Sequence, residues 1–188
     1  MRPWPPVLAS GDGLWQLARW VRDYHDAVAD FVPPAHAAWF VPGVTWQPGQ
    51  IIRHGDLGPW NSVWRDGVLV GFIDWDFAEP GTALDDVAQL AWYAVPLRGP
   101  DAARAAGLAE DCDLQARLDM LCQGYGVSSA AVLGALERLI AREIARLDDF
   151  GSAGVEPWSG FRERGDEAVL AEELKWLSAN RSFLTSDE

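Results

Sequence analysis

Two short stretches of the chain carry the side chains best suited to chemistry. The first, HGDLGPWN at residues 54–61, places Asp56 five residues before Asn61, and the second, GFIDWDFAEPG at residues 71–81, contains Asp74. Carboxylate and amide oxygens are hard ligands of the kind that Mg²⁺ binds, with water and phosphate completing its shell. The two stretches therefore raise the question of whether these three side chains share one site.

A predicted β-hairpin brings the two stretches together. The Asp-Gly pair at residues 66–67 is flanked by the apolar segments SVWR and VLVGFI, and such a pair is typical of a tight two-residue turn. Pairing across that turn puts Asn61 opposite Phe72, so Asn61 and Asp74 emerge at the same open end of the hairpin. Asp56 lies in the loop that enters this end. We therefore predict that the three oxygen-bearing side chains converge.

The rest of the chain has the pattern of a mostly helical domain. Apolar residues recur at helical spacing, first behind the cap candidates Ser10 and Asp12. QIIRH at residues 50–54 reads as a short strand before the first motif. The length favours one domain over residues 1–188, and we predict an α+β fold that is predominantly helical. The predicted helices lie at about residues 14–31, 83–95, 113–124, 128–151 and 165–180.

Charge and composition argue against several classes of protein. The net charge of −13 argues against nucleic acid or an anionic membrane surface as a partner, because both need a basic face. No apolar run approaches the roughly 18 residues of a membrane span, and the first ten residues have no signal-peptide pattern, so we predict a cytoplasmic protein. Cys112 and Cys122 form no CxxC pair, which argues against a disulfide framework or a structural zinc site.

Other polar residues near the motifs have simpler structural interpretations. Asp85 and Asp86 fall in the first turn of a predicted helix, where the helix dipole stabilises carboxylates. His25 is interpreted as a packed or partly exposed helical residue. Asp76 and Glu79 are either supporting residues of the site or solvated loop residues, and we favour the solvated reading. The tryptophans predicted to flank the site are Trp60 and Trp75.

The two motifs together resemble the aminoglycoside phosphotransferase family, small-molecule kinases with a protein-kinase-like fold. HGDLGPWN followed by IDWD has the form of the family's catalytic loop and metal-binding segment, and GTALDDVAQLAW at 81–92 and RDYHDAV at 22–28 match as well. The resemblance extends along the chain, but only as the family's C-terminal lobe. It implies an ATP-dependent phosphotransferase that acts on the hydroxyl group of a small molecule with Mg²⁺ as cofactor.

The resemblance also implies a role for each motif residue. Asp56 would be the catalytic base or the group that orients the acceptor hydroxyl, while Asn61 and Asp74 would hold the metal that bridges to the nucleotide phosphates. His54 would fix the loop as a scaffold residue. Asp86 matches the family's Asp at the start of an apolar helix, and it is expected to support the site.

One part of the family pattern has no counterpart in this sequence. The family's N-terminal β-lobe supplies a phosphate-covering loop and a strand lysine, but only 53 residues precede the motif and Lys175 is the sole lysine. RPWPP at residues 2–6 resembles the hinge that follows that lobe. We therefore expect the N-terminal lobe to be missing. A separate chain that supplies it and a non-catalytic pseudoenzyme both stay open as alternatives.

A second enzyme class is less favoured. An apolar strand followed by Asp74 and Asp76 also resembles haloacid-dehalogenase-like phosphatases, in which the first Asp is a nucleophile and the second a general acid. That chemistry needs a doubly wound parallel sheet and a lysine late in the site. The sequence predicts a hairpin and helices instead, and its Lys175 falls in the terminal helix.

Overall fold

Helices form most of the chain. The computed structural model describes residues 4–109 and 111–185, which leaves part of the predicted hinge at 2–6 outside the described residues. The predicted α+β, predominantly helical class is confirmed. None of the described helices is both long enough and apolar enough to span a bilayer. The helices are α1 (Gly11–Val28), α2 (Ala83–Tyr93), α3 (Ala102–Ala105), α4 (Leu114–Tyr125), α5 (Ser129–Arg146), α6 (Trp158–Glu163) and α7 (Asp166–Leu184).

The helices pack around one main core. α1 lies against α4, α2 against α5, and α5 against α7. The apolar stripe of α1 is buried as its spacing predicts, but Phe31, expected on the same stripe, is 51% exposed because the helix ends at Val28. Ser10 takes the N-cap position, yet its hydroxyl donates to the Val7 carbonyl and does not cap the helix. The fully buried residues of α1 include Leu14, Leu17 and Val21.

Four short strands form two antiparallel pairs among the described residues. β2 (Ser62–Arg65) and β3 (Val68–Phe72) flank the predicted turn at 66–67. β1 (Ile51–Arg53) is the predicted strand before the first motif, and it pairs with β4 (Glu79–Gly81), which was not predicted. Since both sheets are two-stranded and antiparallel, the described part of the chain lacks the parallel sheet that the phosphatase alternative requires.

A β-bulge changes the predicted register at the open end of the hairpin. An irregularity between Val63 and Trp64 shifts the pairing by one residue, so Phe72 lies opposite Ser62. The predicted pairing of Asn61 with Phe72 is therefore wrong. Asn61 is instead linked to Ile73, whose N–H donates to the Asn61 carbonyl at 3.0 Å. The bulge moves Asn61 one residue closer to Asp74 along the paired strand than an undistorted hairpin would.

Candidate active site

Asp56 and Asn61 are in direct contact. The Asn61 side-chain nitrogen Nδ2 donates to Asp56 Oδ2 at 2.8 Å and to the Asp56 backbone carbonyl at 2.9 Å. Asn61 is only 5% exposed and closes the short 3₁₀ turn Pro59–Asn61, so its orientation is fixed. Because the amide nitrogen makes both bonds, the amide oxygen Oδ1 is left as a candidate ligand for a cation.

Asp74 is held beside this pair because both backbone groups of its neighbour Ile73 are hydrogen-bonded to residues of the first motif. Ile73 N–H donates to the Asn61 carbonyl, and the Ile73 carbonyl lies 3.1 Å from His54 Nε2. Asp74 has a left-handed backbone conformation, with φ of 66°, which few residues other than glycine adopt readily. Its carboxylate is exposed at the open end of the hairpin. The structure thus brings all three predicted residues to one place.

Asp56 and His54 have opposite shifts of pKa with the same main cause. Burial raises the pKa of Asp56, although Trp60 and Asn61 donate to its carboxylate and partly offset the effect. Burial lowers the pKa of His54, which favours the neutral imidazole. His54 Nδ1 then accepts from the Asp56 N–H at 3.2 Å while Nε2–H donates to the Ile73 carbonyl. His54 therefore acts as a scaffold between the two motifs.

Asp86 anchors the loop that carries Asp56. Its carboxylate is fully buried and accepts from the backbone N–H groups of His54 at 2.9 Å and Gly55 at 3.3 Å. His25 Nε2 lies 3.1 Å from the same carboxylate, and its Nδ1 lies 2.8 Å from the Tyr125 hydroxyl. His25 is thus packed, as expected. Asp86 does more than make the predicted favourable interaction with the helix dipole, because it binds the loop that carries Asp56 directly.

Gln89 is a second anchor that the sequence reading missed. Its side chain accepts from the Leu57 N–H at 2.9 Å and donates to the Gly55 carbonyl at 2.9 Å. Gln89 lies one turn after Asp86 on a buried face of α2 whose other residues are mostly apolar. Two polar residues at this spacing on a buried helix face were the available signal. Asp85, by contrast, forms a capping box with Thr82, so its structural interpretation holds.

The polar residues after Asp74 have different environments. Asp76 is exposed, which agrees with the solvated reading. Glu79 is only 2% exposed, and its carboxylate is paired with both Arg53 and Arg146. The solvated reading of Glu79 is therefore wrong. Because β4 pairs with β1, Glu79 lies directly opposite Arg53 and is carried into the interior.

A cavity of about 380 Å³ opens beside Asp56. Phe77, Tyr93 and Trp158 contribute aromatic surface to its lining, so an organic molecule of modest size could reach the Asp56 carboxylate. Trp60 packs edge-on against Tyr93 at 4.8 Å between ring centroids, next to this opening. Trp75, predicted to flank the site as well, instead packs against the His54 ring at 4.2 Å and supports the loop.

The outer side of the hairpin exposes a group of apolar side chains. Soluble proteins usually expose such residues singly, and a group marks a surface that another surface can cover. The group runs along the hairpin from Val68, beside the turn, to Ile73, next to Asp74. Its members are Val63, Val68, Val70 and Ile73, which are 36%, 58%, 47% and 55% exposed.

Comparisons with known proteins agree with the motifs. A model of the phosphotransferase enzyme family matches residues 6–121, which include both motifs and the α2 anchors. The trifolitoxin immunity protein of Rhizobium leguminosarum bv. trifolii is 36% identical over 142 residues, which are 73% of this chain and 52% of that protein. The chain therefore spans about half the length of this relative. No solved structure matches significantly. On the strength of the family match, the chain belongs to the phosphotransferase enzyme family.

Proposed function

We propose that this chain provides the catalytic half of an ATP-dependent phosphotransferase that phosphorylates the hydroxyl group of a small molecule. One observation carries the proposal: Asp56 and Asn61 are in contact, and Asp74 is held at the same end of the hairpin through Ile73. Of the three residues, Asp56 also lines the cavity of about 380 Å³. Phosphoryl transfer needs an oriented hydroxyl and neutralised phosphate charge, and the arrangement offers a group for each.

The residues fit a magnesium ion that is shared with a nucleotide. Asn61 Oδ1 and the exposed Asp74 carboxylate are two oxygen ligands, and Mg²⁺ commonly takes few protein ligands and completes its shell with water and phosphate. Among the described residues no group of three or more His, Cys, Asp or Glu side chains could hold a metal. When bound with ATP, Mg²⁺ would neutralise charge on the transferred phosphoryl group. We therefore assign Asn61 and Asp74 as its ligands.

Asp56 has the environment of a catalytic base in the proposed reaction. It would accept the proton of the substrate hydroxyl as the hydroxyl oxygen bonds to the transferred phosphoryl group and ADP leaves. Its raised pKa makes proton acceptance more favourable than at an ordinary aspartate. Asp86, Gln89 and His54 keep the loop in place, which matters because small displacements of a reacting group slow such reactions strongly.

We further propose that a kinase-like β-lobe covers the exposed apolar side of the hairpin when the nucleotide binds. The described residues contain no such lobe, and the single lysine, Lys175, is exposed on α7 and pairs with Glu172. The described half alone should therefore bind Mg-ATP weakly, because it lacks the apolar burial and the charged contact that a second lobe supplies. Calorimetry with Mg-ATP measures this: micromolar affinity of the 188-residue chain alone would contradict the proposed need for a second lobe.

Phosphotransfer assays with a matched pair of variants test the proposed function. The full chain is incubated with labelled ATP, Mg²⁺ and a panel of small alcohols. The assay is repeated with a β-rich lobe present, supplied either as part of a longer chain or as a second chain. Transfer should fall at least a hundredfold in Asp56→Asn, since a positioned base contributes about that factor or more. Asp66→Asn, in the exposed hairpin turn, should leave transfer unchanged. Equal activity of Asp56→Asn and the wild type would overturn the assignment.

The similarity to an immunity protein favours a second candidate function. The relative is named for immunity to trifolitoxin, and we propose that the present chain protects a cell against a toxin, either by phosphorylating it or by binding it. Expression in a toxin-sensitive strain distinguishes the two modes. Protection that is lost in Asp56→Asn supports phosphorylation, whereas protection that persists in this variant supports the non-catalytic alternative. No protection by the wild type against the toxins tested would argue against this second candidate.

A further inference from the structure

Arg53 is a buried cation whose hydrogen-bond donors are only partly used. It precedes His54 at the end of β1 and is 2% exposed, and its Nη2 donates to Glu79. Its Nε and Nη1 atoms are buried and have no hydrogen-bond partner among the described residues. Buried donors without acceptors are unfavourable, and native structures rarely keep them without a reason. Arg53 therefore has unused capacity for an acceptor.

The position of Arg53 gives that capacity a use. Arg53 and Asp56 both line the cavity of about 380 Å³. A volume of this size suits a small organic molecule. A ligand that fills the cavity would therefore lie beside both the proposed catalytic base and Arg53.

The charge of the cavity lining differs from that of the whole chain. The chain has a net charge of −13, but four arginines and only three carboxylates line this cavity. The lining is therefore richer in positive charge than the chain as a whole, and two further carboxylates, Glu79 and Glu173, pair with its arginines. The lining arginines are Arg53, Arg98, Arg146 and Arg164, and the carboxylates are Asp56, Glu143 and Asp166.

Arg53 differs from the other three arginines in its pairing. Arg98 pairs with Glu173, and Arg164 pairs with Asp166. Arg146 pairs with Glu143 and also with Glu79, which it shares with Arg53. Among the described residues that line the cavity, Arg53 is the one with buried nitrogens that lack any partner.

We propose that the cavity selects an alcohol that carries a carboxylate, and that this carboxylate accepts hydrogen bonds from the unused nitrogens of Arg53. The proposal rests on the proposed function, since it names the substrate class of the same site. Hydrogen bonds between a guanidinium and a carboxylate are short and strong because both groups are charged. The aromatic surface of Phe77, Tyr93 and Trp158 would contact the apolar body of the substrate.

Two probes of the same shape test the proposal without nucleotide or metal. The full chain is titrated with para-(hydroxymethyl)benzoate and with para-(hydroxymethyl)benzamide, and binding is followed by NMR. We expect the benzoate to bind about tenfold to a hundredfold more tightly, as one charge-assisted hydrogen bond predicts. The Nε–H resonance of Arg53 should shift with the benzoate and much less with the benzamide. Equal affinity for the two probes, or no shift of that resonance, overturns the proposal.

Variants assign the preference to Arg53. Arg53→Gln should lose the preference for the benzoate, whereas Arg138→Gln, at an exposed position on α5, should keep it. Thermal unfolding checks that the variants fold. If Arg53→Gln does not fold, Arg53→Lys provides the comparison, because it keeps the charge but removes Nε and Nη1 and should weaken the preference. A preference that survives in a folded Arg53→Gln or is unchanged in Arg53→Lys contradicts the assignment.

The outcome of these binding experiments can be distinguished from the outcome of the phosphotransfer assays that test the proposed function. Binding is measured without ATP, so a carboxylate preference in a chain that transfers no phosphate supports the ligand class and counts against the enzyme. Phosphotransfer to neutral alcohols by a chain that shows no carboxylate preference supports the enzyme and counts against the ligand class.

Discussion

Replacing Asp86 should both destabilise the protein and loosen the loop that carries Asp56. The Asp86 carboxylate is fully buried and accepts from two backbone N–H groups, those of His54 and Gly55, and contacts His25. Asp86→Asn keeps one oxygen, but it turns an NH₂ group towards a buried N–H and removes the charge from the remaining bonds. A buried donor left without an acceptor costs about 1–3 kcal/mol, so we expect a loss of roughly 2–3 kcal/mol for Asp86→Asn. Asp86→Ala should lose more, about 3–5 kcal/mol, because it leaves both backbone N–H groups without an acceptor.

Urea unfolding and hydrogen exchange measure these two effects. Asp23→Asn is the matched control, because Asp23 is exposed and forms a surface ion pair with Arg19 one turn away. The free energy of unfolding of this variant should differ from that of the wild type by less than about 0.5 kcal/mol. The amide of Gly55 should exchange faster in Asp86→Asn than in the control. If Asp86→Asn unfolds at the same urea concentration as the control and the Gly55 amide keeps its protection, the anchoring role is refuted.

Three further predictions follow from the geometry and environment of single residues. Gly55→Ala should lower the urea midpoint and the activity, because φ at Gly55 is 81° and an added Cβ would lie 2.0 Å from the Phe77 carbonyl oxygen; an unchanged midpoint would contradict this. In an active preparation, the acid limb of the pH profile of kcat/KM should lie above the ordinary Asp pKa of 3.8, because burial raises the pKa of Asp56 and the base works only when ionised; a limb at or below 3.8 would count against Asp56. Iodoacetamide at pH near 8 should modify the partly exposed Cys112 much faster than Cys122, whose thiol pKa is raised to about 12 by burial, and mass spectrometry of the peptides checks the order.

The hairpin and its convergent end were predictable because their signals are local. An Asp-Gly pair between two apolar segments specifies a tight turn, and the turn alone brings the Asn61 and Asp74 ends of the two strands together. The bulge between Val63 and Trp64 was not predictable, because a one-residue insertion leaves the same alternating pattern on either side. It changed the partner of Asn61 without separating it from Asp74.

The residues that support the site depend on contacts that are distant in sequence. Asp86 binds backbone groups 31 and 32 residues away, and no local pattern identifies them. Glu79 was misread for the same reason, since its partners Arg53 and Arg146 are 26 and 67 residues away. A carboxylate in a Pro- and Gly-containing segment is usually exposed, but pairing of β4 with β1 overrides that tendency. Motif residues were therefore easier to find than the residues that hold them.

The central claim is that Asp56, Asn61 and Asp74 form one site that binds a divalent cation with a nucleotide, and Mn²⁺ tests it most directly. Mn²⁺ can replace Mg²⁺ and broadens NMR signals of nearby nuclei. With ATP and substoichiometric Mn²⁺, we predict broadening of the Asn61 side-chain amide and the Asp74 backbone amide, and its loss in Asp74→Asn but not in Asp66→Asn. Broadening centred elsewhere, or broadening of the Asn61 amide that persists unchanged in Asp74→Asn, would contradict the claim.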